Sequence, residues 1–139
     1  MRHLKKGVSQ FPNAYNLRVV DRILTVSVIY TYIVYTEMSL LDGVSGFEWD
    51  EANLAHIARH NVTPEEAEQV FFDVDNAFDE DIKHSTVEKR FIIIGKTEKG
   101  RLLYQIFTRR EDKIRVISSR DINKKEVNLY EKATRRTKV

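Results

Sequence analysis

The chain has no cysteine, only two prolines, one tryptophan and five glycines in 139 residues. Without cysteine there is no disulfide framework and no thiolate metal site, a composition that suits a reducing cytoplasm. Glycine and proline are too sparse for a fibrous or linker-like chain. No apolar run reaches the about 20 residues that a membrane-spanning helix needs. The longest, Ile23 to Thr36, is fourteen residues and is bracketed by Asp21, Arg22 and Glu37. Neither a P-loop nor a GxGxxG fingerprint is present, because Gly95 and Gly100 flank a short charged turn rather than opening a helix. What remains at this length is one domain with a real core.

Excess charge of one sign is also lacking overall, since the formal net charge is +2. The distribution is not even. From Asp42 to Asp81 there are twelve acidic residues against one basic, Arg59; from Ile82 to Val139 there are seventeen basic against seven acidic. Such a split points to a basic half facing a polyanion. The alternative is that acidic helices and a basic sheet neutralise one another within the fold.

Residues 1–37 differ in character from the rest, and the β-branched run Ile23 to Thr36 suits a strand. It is expected to be either an added strand on a sheet edge or part of an upstream extension, with Met38 the natural start; the second is preferred. Residues 38–46, MSLLDGVSG, read as a flexible linker. Residues 47–139 carry the domain proper. Phe47-Glu-Trp-Asp50 reads as a short strand, and Asp50 caps a helix over Glu51 to His60 whose apolar face is Leu54, Ile57 and Ala58. Asn61 suits a left-handed stop. Thr63, Pro64 and Glu66 form a second start signal with a capping box, and Ala67, Val70 and Phe71 make that helix's buried stripe. Asp73 to Asp81 reads as an acidic loop with a brief extended piece.

Phe91–Ile94, Leu102–Thr108 and Ile114–Ser118 are three β-rich runs separated by short charged turns, hence an antiparallel meander. Glycines at both ends of the first turn are expected to supply positive φ. Asn123 and Glu126 then open a last helix with its own capping box, and Val127, Leu129 and Tyr130 can face the sheet. The order β-α-α-β-β-β-α is an α+β fold, an antiparallel sheet with helices packed on one face.

Arg90, Arg110, Arg115 and Arg120 occur in or beside the strands, where a sheet can hold planar guanidinium forks still for phosphate oxygens. In RNA cleavage through a 2′-hydroxyl, fixed cations stabilise charge on the scissile phosphate and an imidazole moves a proton. His60 or His84 could move it; Tyr104 and Tyr130 could stack a base or hold a phosphate. Each arginine taken alone could equally be an ordinary ion pair. His56 and His60, one helical turn apart, lack an HExxH pattern and a third ligand, so a metal site is not expected.

Taken in order, FEWD at Phe47–Asp50, ARHNVTPEEA with His60 and Glu66, VFFD, DIKHSTVEKRFIIIG with Asp81, His84, Ser85, Glu88, Arg90 and Gly95, GRLL, TRRED, IRVISSR and the Glu126/Tyr130 pair resemble the BrnT toxin family. The likeness runs from Phe47 to about Tyr130. It implies a RelE-like fold and an endoribonuclease of a type II toxin–antitoxin system, cutting mRNA without a metal or other cofactor. It further implies inhibition by a BrnA-like antitoxin with a ribbon-helix-helix DNA-binding segment, operator DNA being reached only through that complex. Carried over by position, Arg90, Arg110 and Arg120 would hold the phosphate, His60 would transfer a proton, and Glu88 would be an alternative base or orienter. Arg115, Tyr104 and Tyr130 would bind RNA. Where relatives commonly have glycine after the histidine, this chain has Asn61. The competing expectation from another class is a non-catalytic module that binds RNA or protein, and a third is that residues 1–37 regulate the domain.

Overall fold

The computed structural model describes residues 2–3 and 40–137. The expected strand at 23–36 lies outside the described residues. In chain order the elements are β1 (Arg2–His3), β2 (Gly46–Phe47), α1 (Glu51–Ala58), α2 (Pro64–Val70), β3 (Ala77–Glu80), β4 (Phe91–Lys96), β5 (Leu102–Arg110), β6 (Lys113–Asp121) and α3 (Lys124–Thr137). Strands β3 to β6 form a continuous antiparallel meander. β2 lies parallel beside β6, and β1 pairs antiparallel with β2, which gives the order β1-β2-β6-β5-β4-β3.

Side chains alternate across these strands, and alternation sorts them into two faces. Phe91, Ile93, Leu103, Phe107, Ile114 and Val116 point to the face that carries α1 and α2, where they meet Phe47, Ile57, Ala67, Val70 and Phe71 in the main core. Three phenylalanines anchor it: the Phe71 ring sits edge-on to Phe47 at 5.3 Å and to Phe107 at 4.9 Å between centroids. Buried polar groups on this face are satisfied. Gln105 donates to the Ala67 carbonyl at 3.0 Å and accepts from Ser119 at 2.7 Å.

Both helix starts take the form their sequences dictate. The Asp50 side chain accepts from the Asn53 N–H while Asn53 accepts from the Asp50 N–H, and Thr63 and Glu66 make the same reciprocal pair. Asn53 is buried and also donates to the carbonyls of Glu48 and Val116. It takes the inward place expected for Leu54, which is 36% exposed. Asn61 adopts φ 54, the left-handed stop that its residue type allows.

Several expectations are corrected. The acidic stretch before Asp81 holds a fourth meander strand, β3, in which Phe78 reaches the core rings while acidic residues conceal the alternation. The helices do not all share one face: α3 packs on the other side, where Tyr130 and Ile94 are buried apart from the main core. Gly95 is a strand residue rather than a turn residue. A Cβ there would stand 2.8 Å from Val70, so glycine is needed for close approach of α2, whereas Gly100 has the expected positive φ of 88°. Residues 40–46 are not a free linker. Leu40, Leu41 and Val44 pack on the core, and Arg109 donates to the carbonyls of Leu40 and Asp42 at 2.7 and 2.6 Å. The FEWD strand is reduced to Gly46–Phe47, because Asp50 is committed to capping α1.

Candidate functional site

The sheet face opposite α1 and α2 carries most of the singled-out residues, and strand register arranges them in rows. Thr108 lies opposite Arg115, and Tyr104 opposite Arg120 and Ile94. Between those rows, Ile106 lies opposite Ile92 and Ser118. The β3–β4 pairing continues past Glu80 and Phe91, since the Asp81 N–H donates to the Arg90 carbonyl at 2.8 Å. Asp81 and Arg90 therefore face each other on this side, with Cβ atoms about 5 Å apart. One row thus reads Asp81, Arg90, Thr108, Arg115. The row containing Arg120 lies about 14 Å along the strands from it, at four residues per strand.

Within that frame the arginines differ. Arg110 is held by Glu88 through two bonds of 3.2 and 3.3 Å and lies 3.6 Å from Glu48. Arg115, its side chain only 12% exposed, is paired with Glu48 at 3.2 Å and Asp50 at 2.8 Å. That pairing, together with the Asn53 N–H, keeps the Asp50 carboxyl below its ordinary pKa. Arg120 forms two bonds with Glu126 and lies 4.3 Å over the Tyr104 ring. Arg90 is unlike all three. Its guanidinium makes no hydrogen bond or ion pair among the described residues, and its Nε is a buried donor without a partner. Leaving a buried donor unpaired costs about 1–3 kcal/mol, so a group in that state is poised for an acceptor from outside.

A loop carries the remaining chemistry beside Arg90. The turn Ile82–His84 follows β3, and Ser85 closes its base by donating to the Asp81 carbonyl at 2.7 Å and accepting from the Arg90 N–H at 2.9 Å. Thr108 ties the far side by donating to the Lys89 carbonyl at 2.7 Å. Asp81 is buried, and both its oxygens contact His84 Nδ1, at 3.0 and 2.9 Å. The His84 side chain is 53% exposed. Asp81 carried no role in the sequence reading; an acid three residues before a histidine in a turn was the available signal.

Two expected site residues are elsewhere. His60 ends the α1 segment on the opposite side, where its carbonyl accepts from Arg101 and its ring lies within electrostatic reach of Asp121. Its ring centroid is 6.4 Å from that of His56. Among the described residues no third histidine, acid or cysteine joins them as a metal-binding group. Tyr130 is a core residue, not an exposed stacking platform. Its hydroxyl donates to Asp73 at 2.8 Å, and burial together with that bond raises its pKa well above the ordinary tyrosine value. Tyr104 remains at the surface of the arginine face; burial, then the charge of Glu126, raises its pKa and keeps it a proton donor.

A family model described as ribonuclease toxin, BrnT, of type II toxin–antitoxin system matches residues 49–126. The chain belongs to the BrnT family. The BrnT match spans more than half the chain, from Trp49 through the whole meander to Glu126, the residue that holds Arg120. It therefore includes Asp81, His84, Glu88, Arg90, Arg110, Arg115 and Arg120. No curated protein matches the chain. A type II toxin family implies a protein antitoxin as partner. No helix among the described residues is long and apolar enough to cross a membrane.

Proposed function

We propose that this BrnT-family chain is a metal-independent endoribonuclease that cleaves mRNA and arrests growth, and that a BrnA-like antitoxin with a ribbon-helix-helix DNA-binding segment holds it inactive. Operator DNA is met only through that toxin–antitoxin complex. The observation that carries the reading is the partly buried Arg90, unpartnered among the described residues, in a row with Arg115 and beside Arg110, on a face free of α1 and α2. A scissile phosphate set there would accept from the Arg90 Nε and from Arg110, whose bond to Glu88 is solvent-exposed and exchangeable. Arg120 and Tyr104, one nucleotide or two away along the sheet, would hold a neighbouring phosphate and base. Attack of the 2′-oxygen then gains from fixed positive charge at the phosphorane oxygens.

Induced expression of the full chain should arrest growth, and co-expression of the neighbouring antitoxin should restore it. Arg90→Ala, with or without Arg110→Ala, should lower mRNA cleavage by about 10²–10³-fold, the usual loss for one charge-stabilising donor. Cleavage should survive EDTA. Undiminished toxicity in the double variant would refute the site. A second reading, a binding module without catalysis, is favoured by the carboxylate partners of Arg110, Arg115 and Arg120. It predicts salt-dependent RNA binding with no cleavage at any protein concentration.

A further inference from the structure

Proton transfer needs a group near the 2′-hydroxyl of a nucleotide whose phosphate sits at Arg90. His60 is on the other side of the sheet, against Arg101 and Asp121. Glu88 is nearer, but its oxygens accept from Arg110, and a carboxylate freed when Arg110 turns to the phosphate is a weaker base than an imidazole. His84 meets the requirement. It extends from the turn that Ser85 fastens to the Arg90 backbone, and its holder, Asp81, stands directly across from Arg90 in the sheet.

The contact also fixes which nitrogen does the chemistry. A carboxylate only accepts hydrogen bonds, so Nδ1, with both Asp81 oxygens at 2.9–3.0 Å, carries the hydrogen. In the neutral ring the lone pair is then on Nε2, at the exposed end of a side chain that is 53% accessible. Burial of Asp81 beneath the turn restricts the ring to this orientation.

We propose that His84 is the general base of the cleavage reaction and that Asp81 is its positioning residue, an inference that rests on the ribonuclease reading above. His84 Nε2 takes the proton from the 2′-hydroxyl. The 2′-oxygen forms a bond to phosphorus as the bond from phosphorus to the 5′-oxygen breaks, and the departing 5′-oxygen takes a proton from water. The products are a 2′,3′-cyclic phosphate and a 5′-hydroxyl end. Arg90 neutralises the phosphate oxygens throughout, and the imidazolium formed is stabilised by Asp81.

The test is mRNA cleavage by the full chain, on naked RNA and in a translating extract, for wild type, His84→Ala and Asp81→Asn. His84→Ala should lower kcat by about 10²–10⁴-fold with KM little changed, and regain activity with added imidazole, which a loss of folded protein would not allow. Asp81→Asn, which can present the wrong tautomer, should lower kcat at least about tenfold. If wild type cleaves and His84→Ala retains kcat within about twofold, or is not restored by imidazole, the base assignment fails while the ribonuclease reading stands. If wild type cleaves no RNA in either setting, both fail.

Discussion

Arg90 and Arg101 show how differently one residue type can be used. Arg101 donates to Asp121, to Glu66 and to the carbonyls of His60 and Asn61, so it clamps the end of α1 and the start of α2 to the end of the sheet. Hydrogen bonding to Asp121 is the main cause of its raised pKa. Among the described residues Arg90 has no such partner, and its buried Nε is a cost that ligand binding would remove. Nothing in the sequence separates these two, since both stand among alternating β residues near acids. Gly95 is similarly opaque, as its neighbour in space, Val70, is 25 positions away. Gly95→Ala would place a methyl 2.8 Å from both the Val70 Cγ1 and carbonyl oxygen. It should destabilise the protein by about 1–3 kcal/mol, measured by urea denaturation; a change under about 0.5 kcal/mol would mean that α2 can shift freely.

Among the elements, those with caps and turns were legible: Asp50, Thr63 and Asn123 each start a helix where their side chains can accept backbone N–H groups. The paired two-residue hairpin at Glu111–Asp112, with Glu111 at φ 54, also follows from a short charged gap. β3 was legible only as a brief extended piece within an acidic loop, because only Phe78 among its four residues reaches the core rings. The side taken by α3 was missed because Val127, Leu129 and Tyr130 fit either face, and in the event Leu129 is exposed while Tyr130 docks. Two titratable groups set the pH range of that docking. Burial opposes ionisation of Glu126, but bonds from Arg120 and the Asn123 N–H prevail and lower its pKa below the ordinary 4.5. Its contribution is therefore complete above that value and is lost as pH falls through the folded pKa. Burial and Asp73 raise the Tyr130 pKa above the ordinary 10.0, so its contribution is complete below pH 10 and is lost as pH rises beyond it. Stability measured by urea denaturation should fall at both limits. Glu126→Gln should flatten the acid limb and Tyr130→Phe the alkaline one; unchanged limbs would mean that α3 is held by other contacts.

At the scale of the whole molecule, the acidic first half and basic second half meet rather than separate. Glu48, Asp50 and Glu66 each take an arginine from the meander or its hairpins. The sequence showed the imbalance but not which charges meet, because partners as far apart as Glu48 and Arg115 are brought together only by the parallel pairing of β2 with β6. What remains open toward a polyanion is the part of one sheet face that α3 leaves uncovered, with Arg90 unpaired among the described residues, Arg110 in an exposed pair and Arg120 over Tyr104. Cleavage at Arg90 requires that RNA bind this face. The most direct measurement is titration of the isotope-labelled protein with a 2′-O-methyl RNA, which cannot be cleaved through its 2′-oxygen, while following the arginine Nε–H signals by NMR. Signals of Arg90 and Arg110 should move on binding and that of Arg101 should stay in place. Movement at Arg101 with Arg90 unmoved would put the RNA on the other side of the sheet and contradict the account.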